Sequence, residues 1–106
     1  MASTFSSAVA LITAGDLHSL ERSLNNKHVS PDERDENGQT LLMIAAQYGQ
    51  LPIVEELIRQ GADIHLEDLD NWTALLNAAK EGYTDIVSEL VMHNADIEHR
   101  DVGGWT

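Results

Sequence analysis

Positions 33–38 read Glu-Arg-Asp-Glu-Asn-Gly, which sets Glu33, Asp35, Asn37 and Gly38 at the offsets of a calcium-binding loop. Such a loop wraps carboxylate and amide oxygens around a hard cation and closes with a bidentate glutamate six residues past the glycine. Ile44 stands at that place, so no calcium site is expected. The five histidines, His18, His28, His65, His93 and His99, do not pair at ligand spacing on one helix face. His65 and His99 fall one register apart in two related segments, which fits hydrogen bonding between the segments better than a metal. Asn71-Trp72-Thr73 has the form of a glycosylation acceptor, although Thr73 sits where a helix cap is wanted. There is no phosphate loop, dinucleotide fingerprint, zinc-binding helix or serine elbow, and no cysteine to supply a thiolate. The expectation is a protein without catalytic residues, cofactor or metal.

Charge narrows the partners. The chain of 106 residues carries a net charge of −12. Its six basic residues, Arg22, Lys27, Arg34, Arg59, Lys80 and Arg100, are scattered rather than gathered into a stripe. Phosphate backbones would be repelled, so nucleic acid is not expected as a partner. No apolar run is long enough to cross a bilayer, and Ala8–Ala14 has no basic residue before it, so neither membrane contact nor a signal peptide is read.

The elements that position these residues come in units. Residues 35–67 superpose on 68–100 at a shift of 33, with 13 identical positions. Asp35, Thr40, Leu42, Ala45, Ala46, Gly49, Ile53 and Val54 recur as Asp68, Thr73, Leu75, Ala78, Ala79, Gly82, Ile86 and Val87. Glu56, Leu57, Ala62, Asp63 and Ile64 recur as Glu89, Leu90, Ala95, Asp96 and Ile97. Asp-Val-Gly-Gly-Trp-Thr (101–106) then repeats the start of a unit, which suggests a solenoid array cut six residues into a further unit.

Each unit has a local grammar. Asp35 to Gly38 is a turn, with Gly38, and Asn71 in its place, suited to positive φ. Thr40 and Thr73 are N-caps of a first helix. Gly49 and Gly82 end it in the left-handed conformation. Pro52 fits the first turn of a second helix, whose stripe is Ile53, Val54, Leu57 and Ile58 and which Gly61 or Asn94 ends. Residues 1–34 keep a weaker helix–Gly15–helix rhythm, with apolar Ala8, Leu11, Ile12, Leu17, Leu20 and Leu24 and no opening turn. They read as an N-terminal capping half-repeat.

The unit with D-x-x-G-x-T, A-A-x-x-G, I-V-x-x-L and G-A-D-I resembles the ankyrin repeat across 35–106. It departs from the family where Thr-Pro-Leu-His becomes Thr-Leu-Leu-Met (40–43) and Thr-Ala-Leu-Leu (73–76), losing the histidine that usually bonds the threonine network. The resemblance implies an all-α ankyrin-repeat solenoid, a truncated array of helix-turn-helix units with β-hairpin-like turns, organised as 1–34, 35–67, 68–100 and the start 101–106. It also implies a non-catalytic module that binds protein through turn tips and first-helix ends. Here those positions are Glu36, Asn37, Gln39, Gln47, Tyr48 and Glu67 in the first unit. They are Leu69, Asp70, Trp72, Lys80, Glu81 and Arg100 in the second, and Val102 and Trp105 in the last. Trp72 and Trp105 can anchor a partner or stack on neighbouring tips, and both readings stay open. The acidic positions favour a partner with a basic segment. A truncated array would leave an apolar C-terminal face, with self-association as the expected result. A narrower resemblance, carried by Leu66–Leu75, Lys80–Val87, Glu98–Thr106 and Asp32–Thr40, is to cytoplasm-facing arrays of large membrane-anchored ankyrin scaffolds in receptor signalling. The alternatives are a small stand-alone kinase inhibitor of ankyrin type and the non-catalytic part of a larger NTPase-containing membrane protein.

Overall fold

Apolar residues at three- and four-residue spacing, punctuated by glycine, give six α-helices among the described residues. The structure is a computed structural model that describes residues 4–93. In order the helices are α1 (Thr4–Ala14), α2 (Leu17–Asn25), α3 (Leu41–Gln47), α4 (Leu51–Arg59), α5 (Ala74–Glu81) and α6 (Thr84–His93). They form three antiparallel pairs. The first helices α1, α3 and α5 stack side by side, the second helices α2, α4 and α6 form an outer layer, and each pair packs internally. This is the expected all-α solenoid. The only pairing of extended backbone among the described residues is the bridge between Arg34 and Thr40 at the base of a turn.

The helix ends are built three times in one way. Gly15, Gly49 and Gly82 have φ of 74°, 71° and 79°. Each donates its N–H to the carbonyl three residues back, and the next residue donates to the carbonyl five back. That pair of bonds satisfies the orphan carbonyls of a helix end and requires a left-handed residue. The second helices end likewise: Gly61 (φ 95°) closes α4, and Lys27 (φ 62°) closes α2 with the same bonds, to Leu24 O and, from His28, to Ser23 O.

Helix starts also follow the sequence. Thr40 Oγ1 accepts from Met43 N at 3.2 Å, and Thr73 Oγ1 from Leu76 N at 3.1 Å. The histidine missing from the first unit has a substitute, since the Met43 sulfur accepts from the Thr40 N–H at 3.5 Å in a fully buried site. The cap of α2 is Asp16, whose side chain accepts from Ser19 N.

α3 is buried on almost every side, from Leu41 through Ala46, because α1 and α5 flank it and α4 lies behind. Ala45, Ala46 and Ala78 are fully or almost fully buried alongside Leu42, Ile53, Val54, Leu57, Ile86 and Leu90 or close to them, and small side chains let helices approach. The expected apolar residues of the first pair lie in the same core, with Ala8, Ile12, Leu20 and Leu24 buried and Leu11 and Leu17 packed against them. Phe5 and Val29 join it as well.

Neighbouring pairs interlock at the glycines. A Cβ on Gly49 would lie 2.8 Å from the Tyr83 ring, and one on Gly15 would lie 3.4 Å from the Gln50 amide. The residue after each glycine thus covers the glycine of the preceding pair. Asp32 adds a second tie, accepting the Asp63 N–H at 2.7 Å. Of the pair His65 and His99, expected to bond between units, His99 lies outside the described residues, and the His65 ring makes no hydrogen bond among the described residues. The imidazole is exposed, and only the His65 N–H is engaged, to Asp63 Oδ1 at 2.9 Å.

Candidate functional site

The two turn tips are copies of one hydrogen-bonded loop. Asp35 Oδ1 accepts from Asn37 N at 2.8 Å and Gln39 N at 2.9 Å; Asp68 Oδ1 accepts from Asp70 N and Trp72 N at the same two distances. Gly38 and Asn71 take φ of 79° and 66° at the turn. The Asn71 amide is occupied, donating to Glu67 Oε1 at 3.0 Å. The tips also stack: Leu69 N donates to Asn37 O at 3.0 Å, close over Gly38, where a Cβ would lie 3.0 Å from Leu69 N. A rigid tip that spends its aspartate on its own backbone leaves the intervening side chains free to point outward.

Glu36, Asn37, Leu69 and Asp70 are accordingly exposed, Leu69 by 73%. Gln39 and Trp72, at the return strand of each tip, are half-buried. Gln47 and Tyr48 at the end of α3, and Lys80 and Glu81 at the end of α5, are exposed, as is Glu67 ahead of the second tip. Lys80 Nζ lies 5.7 Å from the centroid of the Trp72 ring, within the range of a cation–π contact. That contact joins tip and helix end of the second unit into one surface. The row of tips and the row of first-helix ends therefore border each other, with acidic groups at Glu36, Asp70 and Glu81 and large rings at Tyr48 and Trp72. Arg100, Val102 and Trp105 lie outside the described residues, as does Asn94.

A second polar cluster on the outer layer is not apparent from repeat spacing. Glu56 is 8% exposed; its Oε2 accepts from Arg59 Nη2 at 2.6 Å and Gln60 Nε2 at 2.8 Å, and its Oε1 from Arg59 Nε at 3.1 Å. Arg59 reaches on to Glu21 Oε2 at 3.3 Å, and Gln60 to Asn25 Oδ1 at 2.9 Å. Burial pushes the Glu56 carboxyl up, but the hydrogen bonds from Arg59 and Gln60, with the Arg59 charge, outweigh it and hold the group below the usual glutamate range. The cluster couples α2 to α4. It is a structural tie, with every strong group paired. In the next unit Glu89 keeps the place of Glu56, but Met92 and His93 replace Arg59 and Gln60, and Glu89 is left with His93 at 2.8 Å.

The described residues hold no group of three or more acidic or histidine side chains placed to bind a metal ion. What the geometry defines is a stacked-repeat protein that displays side chains on a stiff frame. A family model for ankyrin repeats in three copies matches residues 7–101, and the chain belongs to the ankyrin-repeat family. The first pair is thus within the family match.

Two relatives are the human and Danio rerio ankyrin repeat domain-containing protein 29, 49% and 45% identical over 53 residues, half of this chain. A third is human ankyrin repeat domain-containing protein 49, 47% identical over 49 residues. The aligned stretch is only 18–20% of each relative's length. Among solved structures, a chain from the complex of a predatory endopeptidase of Bdellovibrio bacteriovorus with its immunity protein is similar, with a TM-score of 0.76 and 28% identity. The match covers 81% of this chain and 45% of that one. Ankyrin repeats are in general non-catalytic modules of protein–protein interaction.

Proposed function

We propose that this chain binds a partner protein through its turn tips and first-helix ends and carries out no catalysis itself. The observation that carries the reading is the Trp72–Lys80 contact, which merges the two exposed rows into one surface. Tyr48 and Trp72 supply rigid rings of the type that anchors interfaces. Glu36, Asp70 and Glu81 favour a basic segment on the partner, chiefly by steering the encounter. Residues 1–34 serve as the N-terminal cap of the array, 35–67 and 68–100 as its full units, and 101–106 as the start of another.

The larger setting we propose is a signalling scaffold. The stretches Leu66–Leu75 and Lys80–Val87 resemble the N-terminal ankyrin array of the kinase D-interacting substrate, a membrane-spanning scaffold. In that setting the repeats would lie on the cytoplasmic side, as the non-catalytic part of a protein that also carries an NTPase-like region. The alternative is a stand-alone ankyrin-type kinase inhibitor. The similarity to a chain solved in an endopeptidase–immunity complex is in keeping with a binding role. Self-association belongs to the same proposal, because Leu76, Val91 and Met92 on α5 and α6 are exposed.

Hydrogen–deuterium exchange on the complex with a captured partner tests the reading. Protection at residues 36–39, 47–48, 69–72 and 80–81 is expected. Protection confined to the outer helices α2, α4 and α6 would overturn it.

A further inference from the structure

α1 begins at Thr4, which aligns with Gly38 when Gly15 is set on Gly49, so a helical turn stands where the later pairs have their tip. The first tip is covered on its C-terminal side by the second, through Leu69 N to Asn37 O. On its other side no tip precedes it among the described residues. A notch remains there, of about 270 Å³, between Phe5, Ser6 and Val9 of α1 and Asp35, Glu36 and Asn37 of the tip. Its wall from α1 is largely apolar: Phe5 is buried and Val9 half-buried in the core rim. Its other wall carries two carboxylates, and no ion pair among the described residues engages either. Asp35 spends Oδ1 on the backbone of its own tip, while Glu36 is exposed. The start of α1 contributes roughly half a positive charge, less than the two full negative charges opposite. The volume lies below the span of roughly 300–1,000 Å³ usual for small-molecule pockets and suits a single large side chain.

We infer that this notch is a docking site for one bulky apolar side chain flanked by basic residues in an extended segment of a partner protein. The inference rests on the protein-binding reading above and deepens it at the first tip, adding the apolar wall of α1 to Glu36 and Asn37. The apolar side chain takes the space beside Phe5 and Val9. The flanking cations face Asp35 and Glu36, where a segment with acidic flanks is repelled.

Isotope-labelled protein titrated with three amidated peptides tests this. The peptides are Gly-Ser-Arg-Leu-Arg-Ser-Gly and two controls, with both arginines changed to glutamate or the leucine changed to glycine. The first is expected to shift the amides of Ser6, Val9, Glu36 and Asn37 saturably, and each control to bind at least about five-fold more weakly. Glu36→Lys should weaken the first peptide by a similar factor. Glu55→Lys, the same charge change on the exposed outer side of α4, should leave it within about two-fold, since distant surface charges are screened. Circular dichroism checks that both variants fold.

No saturable shift, or equal binding of the controls, overturns the inference. Shifts confined to Tyr48, Trp72 and Lys80 also overturn it, while leaving the protein-binding reading intact. Two other occupants would show themselves without peptide and equally refute it. A second copy would make the notch signals depend on protein concentration, and the chain's own first three residues would move those signals when deleted.

Discussion

A single φ angle explains why some residues here have no substitute. Gly49 and Gly82 share a left-handed conformation, but Gly49 also lies under the Tyr83 ring, whereas no atom of the described residues lies within 4 Å of a Cβ on Gly82. Gly82→Ala should therefore cost about 1–2 kcal/mol, the left-handed penalty alone. Gly49→Ala should cost more, and Tyr83→Ala in the same chain should remove the excess; urea unfolding of the four proteins measures both. Lys27 is the converse case, because a lysine with φ 62° stands where Gly61 stands one pair later. Lys27→Gly should stabilise by about 0.5–1 kcal/mol, the strain relieved exceeding the added freedom of the unfolded chain. The glycines were legible because a repeat exposes them at fixed intervals. Lys27 was not, since it breaks the sequence pattern while obeying the backbone one. The Met43 sulfur was equally hidden: the lost histidine could be read, but not what would take up the Thr40 N–H.

Between elements, the coupling of α2 to α4 depends on charge and therefore on pH. The folded Glu56 carboxyl lies below its ordinary value, so it binds a proton less readily folded than unfolded. Its contribution is thus fully present above the unfolded glutamate range, roughly pH 4.3, and is lost as pH falls through the folded value. Glu56→Gln should flatten the decline of stability between about pH 5 and pH 3, while Glu55→Gln, exposed and not tied to α2 among the described residues, should not. Thermal melts across that window read the difference, and parallel acid limbs for wild type and Glu56→Gln would count against it. Helix order, caps and stripes were readable from period and punctuation at 33 residues. The cross-helix cluster was not, because Glu56 recurs as Glu89 whereas its partners Arg59 and Gln60 do not recur. Identity across units marks what the frame needs, and this tie belongs to one junction only.

At the scale of the whole molecule, stability comes from units covering one another. Met43 is 1% exposed beneath the next pair, but Leu76 in the same place on α5 is 46% exposed, and Met92 on α6 is 62% exposed. Fusing one further helix pair after the second unit should raise the melting temperature and suppress concentration-dependent association, since each unit is stabilised by its neighbours. Sedimentation at several concentrations, with and without the added pair, measures the second effect. The display surface was legible only as a set of positions. That Trp72 would lie beside Lys80, and so join two rows, depends on how the tip folds over α5. Binding through that surface is the central claim, and the affinity of a captured partner for Trp72→Ala tests it most directly. With the fold unchanged by circular dichroism, the account predicts a loss of about 2 kcal/mol, roughly thirty-fold in Kd. Unchanged affinity in a folded Trp72→Ala protein, with the loss appearing instead on substitution of outer-helix residues such as Glu55, would contradict it.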